Sequence, residues 1–192
     1  MTPALEYSIQ ELKLSDLPAL KEFTDREIGA GYYTLSELED IYQRSRIWDR
    51  MCSLVLKKGE QIEGVRITYP PGHWSHGKGE GLSIEKWPYP LSQTAYFQSL
   101  FLSQAVQGQG WGGRLSECSL EILKSVGAKG VVCHSWKESP NNSSGKYLEK
   151  LGFQVIKEHP LYWQHVNYIC TRCGKPPCQC TAQEMYLKLE AR

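Results

Sequence analysis

Leu100-Phe-Leu-Ser-Gln-Ala-Val-Gln-Gly-Gln-Gly-Trp-Gly-Gly-Arg-Leu115 is the stretch from which the fold can be read. An apolar strand, 95–102, runs into a glycine-rich turn that opens a helix over 110–126. Glycines at 108, 110 and 112 leave backbone N–H groups uncovered. The start of a helix adds unpaired donors and the positive end of its dipole. Together these make a site for a phosphate or pyrophosphate. The plain alternative is a tight turn whose glycines only permit close packing. Two other phosphate motifs do not fit. No Gly-Lys-Ser/Thr follows, as a P-loop needs. The spacing Gly108-x-Gly110-x-Gly112 is not that of a dinucleotide fingerprint, and it falls past the middle of the chain.

Outward from that turn, the pattern alternates between helix and strand. A strand over 6–14 precedes a helix from Ser15 to about Glu27, with Leu17, Leu20 and Phe23 on one face. Thr34-Leu-Ser-Glu37 is a capping box for a second helix. Strands follow at 51–56 and 62–69, joined by a turn at Lys58-Gly59. Past the central helix, with Trp111, Leu115, Cys118, Ile122 and Val126 expected on one stripe, come a strand at 130–134 and a short helix at 142–151. Strands at 153–157 and 184–189 complete the chain. Hairpins are antiparallel and helix crossovers parallel, so a mixed α/β sheet is expected in a single domain over 1–192. Residues 70–94 hold four glycines and four prolines. That stretch reads as a substrate-side loop or a flexible insertion. His73 and His76 within it form a weak metal-binding pattern.

Gln107-Gly-Gln-Gly-Trp-Gly112 resembles the Gln/Arg-x-x-Gly-x-Gly/Ala signature of the GNAT superfamily. Asn141-Asn-Ser-Ser-Gly-Lys-Tyr-Leu-Glu-Lys-Leu-Gly-Phe153 resembles its second block, Asn-x-x-Ala-x-x-x-Tyr-x-Lys-Leu-Gly-Phe. The resemblance spans roughly 95–157. It implies an N-acetyltransferase that holds acetyl-CoA between two splayed parallel strands, 95–102 and 130–134. Main-chain groups near Leu100 and Leu102 would meet the pantetheine. Backbone donors of Gln107, Gly108, Gln109, Gly110, Trp111, Gly112 and Gly113 would hold the pyrophosphate, and Asn141 the pantetheine arm. The acceptor would be an amine, on a small molecule or a peptide, attacking the thioester directly.

The second block departs from the family at one position. Its usual tyrosine, the acid for the leaving thiolate, falls on Leu148. Tyr147 is one residue early, about 100° around a helix. Tyr147 is therefore read as either a displaced acid or a packed aromatic, and His134 as either a base acting through water or a packed strand-end histidine. Gln98 and Ser99 could orient that water. The leucine keeps a second function open: a catalytically inactive scaffold that senses acyl-CoA or docks a partner.

Four of seven cysteines crowd into Cys170-Thr-Arg-Cys173-Gly-Lys-Pro-Pro-Cys178-Gln-Cys180. Thiolates so close suit a tetrahedral Zn²⁺, forming a small cysteine knot in the last hairpin. Disulfides and an iron–sulfur cluster are the alternatives. Cys52, Cys118 and Cys133 read as small buried hydrophobes. A net charge of +1 gives no pull toward nucleic acid or an anionic membrane. No apolar run reaches the roughly 20 residues of a membrane span. The first six residues do not read as a secretory leader, so the cytoplasm is expected. A homodimer is allowed.

Overall fold

The computed structural model describes residues 6–189; residues 1–5, most of the stretch on which the absence of a leader was read, lie outside it. Nine strands are described: β1 (Tyr7–Glu11), β2 (Arg46–Ile47), β3 (Arg50–Met51), β4 (Leu54–Lys58), β5 (Gln61–Tyr69), β6 (Thr94–Leu102), β7 (Gly130–Trp136), β8 (Gln154–His159) and β9 (Ala182–Lys188). Helices are α1 (Leu17–Glu27), α2 (Leu35–Arg44), α3 (Trp111–Ser125) and α4 (Ser143–Lys150). Seven strands form one sheet in the order β1-β4-β5-β6-β7-β9-β8, and β2 and β3 pair separately. Within the seven-stranded sheet only β6 and β7 run parallel. The sheet is therefore mixed, as the element order requires.

Alternation along the strands sorts the core into two faces. Leu17, Leu20 and Phe23 of α1 and Leu38 and Ile41 of α2 pack with Ile67, Tyr96 and Val132 on one face. Leu120 and Leu123 of α3 and Leu148 of α4 pack with Ala95, Phe97, Val131 and Met185 on the other. The capping box forms as read: Thr34 accepts from Glu37 N at 3.1 Å, and Glu37 accepts from Thr34 N at 2.8 Å.

The stripe expected along α3 is rotated. Leu115, Ser116, Ser119, Leu120 and Leu123 face the sheet, and Cys118 is exposed. The reason is chemical. Buried polar groups on the sheet select the serines as partners, with Ser119 Oγ bonding Thr68 Oγ1 at 2.9 Å and Cys52 O at 3.0 Å. A purely apolar count passes over such serines. Strand β4 also starts later than expected, because Met51 belongs to the small β2–β3 hairpin.

Residues 70–94 fold over the sheet. Trp74 and Trp87 are buried, and their indoles donate to Thr94 O at 2.8 Å and Glu184 Oε1 at 2.6 Å. With Tyr162 and Trp163 from the β8–β9 connection, these residues add to the core on the α1/α2 face.

Candidate active site and cysteine knot

The parallel pairing of β6 with β7 runs from Thr94↔Gly130 to Phe97↔Cys133 and then stops, although both strands continue. The cause lies in β6. Against β5, the register steps from Thr68↔Phe97 to Ile67↔Ser99, so Gln98 is an extra residue, a β-bulge. The bulge reverses which residues face α3: Ala95 and Phe97 do so before it, Leu100 and Leu102 after it. Beyond the bulge β6 pairs with β5 alone. Its opposite main-chain edge, at Leu100 and Leu102, faces a wedge between the splayed strands. Backbone groups on such an edge need partners from outside the sheet.

At the wedge's end β6 enters the glycine turn. Gly108 and Gly110 adopt φ +74° and +83°, and a Cβ at 108, 110 or 113 would meet nothing within 4 Å. That space is open, so the backbone is accessible to a ligand. Gly110 caps α3, whose first turn is closed by Arg114 N to Gly110 O at 3.2 Å. The N–H groups before Arg114 have no carbonyl within the helix to bond. Gln107 and Gln109 point their amides inward, to Leu102 O at 2.9 Å and Ala105 O at 2.8 Å, and so brace the turn. Trp111 packs against Tyr7 with ring centroids 5.7 Å apart and planes tilted by 45°. These side chains hold the shape, while the main chain offers the donors.

Asn141 and Asn142 both sit in the left-handed region, at φ 55° and 50°, where β7 hands over to α4. Asn141 is exposed, whereas Asn142 Oδ1 is buried without a hydrogen-bond partner among the described residues. Reading the motif singled out the first of this pair and missed the second.

Tyr147 does not lie free in the wedge. Its hydroxyl bonds the buried guanidinium of Arg66, which also donates to Ser116 Oγ at 3.0 Å and lies 4.2 Å from the Phe97 ring. Burial raises the Tyr147 phenol above its ordinary value, and Arg66 opposes that rise. Leu148, at the family's tyrosine position, is buried in the core.

His134 lies inside a polar cluster under the 70–94 segment. Its Nε2 meets Gly81 O at 2.8 Å, and its Nδ1 meets the Tyr96 hydroxyl at 2.8 Å. A carbonyl only accepts, so Nε2 carries the proton and Nδ1 accepts from Tyr96. Burial, partly offset by Glu184, brings the imidazole down to about 4. His159 Nε2 bonds Glu184 Oε2 at 2.7 Å, and Glu184 Oε1 also accepts from Ser83 N at 3.1 Å. Ligand atoms of His134, His159 and Glu184 lie within 4.8 Å of one another. Each is already hydrogen-bonded, so the cluster reads as a clasp holding 81–87 to the sheet.

A cavity of about 510 Å³ opens beside the bulge, lined by Tyr33, Glu37, Arg44, Lys78, Gln98 and His165 among others. Gln98 Nε2 reaches Tyr33 Oη at 3.2 Å, and that hydroxyl meets Ser99 Oγ at 2.7 Å. Burial pushes the Tyr33 phenol up to about 12, so it stays protonated as a donor. Burial raises Glu37, but hydrogen bonds from Lys78 and Thr34 outweigh it and hold the carboxyl below its usual range.

The knot lies in the β8–β9 connection, between the edge strand β8 and the interior strand β9. The four cysteine sulfurs fall within 4.8 Å of one another, with Cys173 and Cys180 3.7 Å apart. Tetrahedral thiolates about 2.3 Å from a zinc ion stand about 3.8 Å from each other, so the set fits that ion. All seven cysteines are free thiols. Burial raises the Cys170 thiol, but the N–H groups of Cys173 and Arg172 outweigh it and bring it to about 7. The knot also touches the α1–α2 loop. Ile169 N bonds Ala30 O at 3.2 Å, and a Cβ on Gly29 would fall 2.0 Å from Ile169 O. Tyr168 donates to Cys178 Sγ at 3.2 Å and packs edge-on against Tyr32. His73 and His76 join no such group among the described residues.

A parallel pair unzipped by a bulge, ending in a glycine turn at a helix start, is the arrangement of an acyltransferase that takes a CoA thioester. The family model for the Acetyltransferase (GNAT) family matches residues 18–153, and the chain belongs to that family. Solved structures share the fold at low identity. The ribosomal-protein-S18-alanine N-acetyltransferase from Escherichia coli matches at 16% identity and TM-score 0.67, over 97% of this chain and 96% of that one. The yncA structure from Salmonella typhimurium, described as an acetyltransferase with its cofactor acetyl-CoA, gives the same figures. The NatC complex bound to Gag peptide and CoA matches at 12% and TM-score 0.69, over 96% and 99%. A search of curated proteins returns no match. No described helix is long and apolar enough to cross a membrane.

Proposed function

We propose that the chain transfers the acetyl group of acetyl-CoA to an amine by direct attack. The observation that carries this reading is the bulge at Gln98, which opens the wedge between the glycine turn and the 510 Å³ cavity. Main-chain donors from Gln107 to Gly113 take the pyrophosphate, and the free edge of β6 at Leu100 and Leu102 takes the pantetheine. Asn141 meets the pantetheine arm, and the orphaned Oδ1 of Asn142 offers that arm an acceptor. The amine enters from the cavity, where Tyr33, Gln98 and Ser99 hold a hydrogen-bonded chain that can orient it or a water.

Neither His134 nor Tyr147 carries the proton transfer alone. The imidazole's free nitrogen is spent on Tyr96, and the Tyr147 hydroxyl on Arg66. Attack requires a neutral amine, which a small fraction of most alkylamines supplies near pH 8. A CoA thiolate leaves without obligatory protonation near neutral pH, so a leucine at the family's acid position is compatible with turnover. Cys170, Cys173, Cys178 and Cys180 hold one Zn²⁺ as a structural clip, since all four ligand positions are filled by protein. Reduced thiols of this kind suit the cytoplasm.

The test is CoA release from acetyl-CoA across a panel of primary amines, with no-amine hydrolysis as baseline. Release above baseline with at least one amine supports transfer. Tight acetyl-CoA binding with no release from any amine class would leave an acyl-CoA sensor instead.

A further inference from the structure

A second, smaller cavity lies past the last paired residues of the wedge. Its floor is Phe101 of β6 and Trp136 of β7. Ile28 and Tyr32 wall it from the end of α1 and the α1–α2 loop, and Trp163 and Tyr168 from the β8–β9 connection. Cys170 of the knot closes it. Phe101 and Trp136 belong to the α1/α2 face, whereas the glycine turn and Leu100 pack toward α3 on the other. The cavity is therefore on the side from which the amine approaches, next to the Gly31, Tyr33 and Val166 wall of the larger one.

From this placement we infer that the cavity receives a short aliphatic side chain borne next to the acceptor's amino group. The inference rests on the transferase reading above and adds the substrate class. Size sets the first limit. The cavity is about 50 Å³, room for only a few heavy atoms. Polarity sets the second. The lining is almost wholly apolar, and the Tyr168 hydroxyl is spent on Cys178. Trp136 Nε1 is buried without a partner among the described residues. A lone N–H donor cannot pair with an ammonium or guanidinium group, and an unpaired buried charge is costly. Basic side chains are disfavoured, and three- or four-carbon ones fit. A pocket of this kind discriminates methylenes by roughly 10-fold or more each.

The experiment compares α-amino amides at fixed acetyl-CoA: glycinamide, alaninamide, valinamide, leucinamide and lysinamide. The expected kcat/KM for leucinamide or valinamide exceeds that for glycinamide at least 10-fold, with lysinamide near glycinamide. Ile28→Phe, which fills the cavity, should cut the leucinamide-to-glycinamide ratio at least 10-fold. Phe101→Leu, a milder change, should shift the preference toward larger side chains should Ile28→Phe fail to fold. Equal rates along the series overturn the inference. So does a ratio unmoved by a folded filling variant. A preference that instead follows acyl-chain length, butanoyl-CoA over acetyl-CoA, assigns the cavity to the acyl group and overturns it as well. If no amide is acetylated, the primary-amine panel decides the transferase reading separately, and the indole N–H resonances of Trp136 and Trp163 still decide the cavity's role. Shifts on adding leucinamide but not glycinamide support the cavity's role, and unchanged resonances end it.

Discussion

The turn after β6 and the knot before β9 are both built to hold a charged partner, by opposite means. In the turn the binding groups are main-chain N–H donors, set by glycines in the left-handed region and braced by Gln107 and Gln109. Its shape is complete without a ligand. In the knot the groups are four side-chain sulfurs, which repel one another once ionised and need a cation between them. A side chain added at Gly108, Gly110 or Gly113 would project into the open space beside the turn rather than into the protein. On the proposed zinc reading, a single sulfur lost from the knot removes its organising ion. On the proposed reading the first region is a site for a substrate that comes and goes, and the second is a joint that ties the β8–β9 connection to the α1–α2 loop.

The largest expected effect is at the joint. Cys170→Ser should remove the zinc, with elemental analysis falling from about one equivalent to near none. The melting temperature should drop by about 10 °C or more, since several kcal/mol are lost at roughly 2–4 °C per kcal/mol. Acetyl-CoA affinity should change less than about threefold. Loss of cofactor binding before melting would erase the division between the two regions.

Gly29→Ala probes the same joint without touching a sulfur. At φ +144°, with a Cβ 2.0 Å from Ile169 O, the loop must move away from the knot. Melting should fall by about 5 °C and the acceptor KM should rise several-fold, with acetyl-CoA affinity again held. Equal losses for acceptor and cofactor would show that the two regions are not separable.

His134 sharpens the comparison from the side of the clasp. Its folded value of about 4 lies below the ordinary value of 6.5. The unfolded chain binds more protons between those values, so stability falls as the pH drops from 6.5 toward 4 and is constant above. The loss at pH 5 is about 2 kcal/mol. His134→Gln, which retains a donor toward Gly81, should flatten the melting curve between pH 7 and pH 5 while the wild type declines. Glu184 faces the same ring; burial raises its carboxyl, but hydrogen bonds from His159 and Trp87 outweigh that and hold it below its usual range, so some slope should remain at the acid end. A variant as acid-sensitive as the wild type would remove His134 from that account. The smallest effect expected is that of Tyr147→Phe: kcat within about tenfold of the wild type. A fall of several orders of magnitude would make Tyr147 the acid.

How legible these regions were in the sequence follows from how they are built. The capping box at Thr34, the strand–turn–helix at 95–126 and the four-cysteine spacing depend on neighbours in the chain, and each formed as read. The bulge at Gln98 was not visible, because nothing local marks it: it arises from the register of β6 against β5. Cys118 was misplaced because apolar periodicity takes no account of Ser116 and Ser119 turning inward to bond buried polar groups. The clasp of His134, His159 and Glu184 comes from three strands and a loop, a convergence of residues as far apart as 81 and 184. The knot's contact with Gly29 and Ala30 is likewise a tertiary fact, and it makes the knot a joint to the α1–α2 loop.

On the proposed reading, acetyl-CoA is held by the main chain of the 107–113 turn. Calorimetric titration of acetyl-CoA into the wild type and into Gly110→Asp tests it most directly. A carboxylate there would enter the open space beside the pyrophosphate and repel it. Measurable binding to the wild type is expected, with affinity weakened at least about tenfold, about 1.4 kcal/mol, in a variant with an unchanged circular dichroism spectrum. Equal affinity in that folded variant would contradict it.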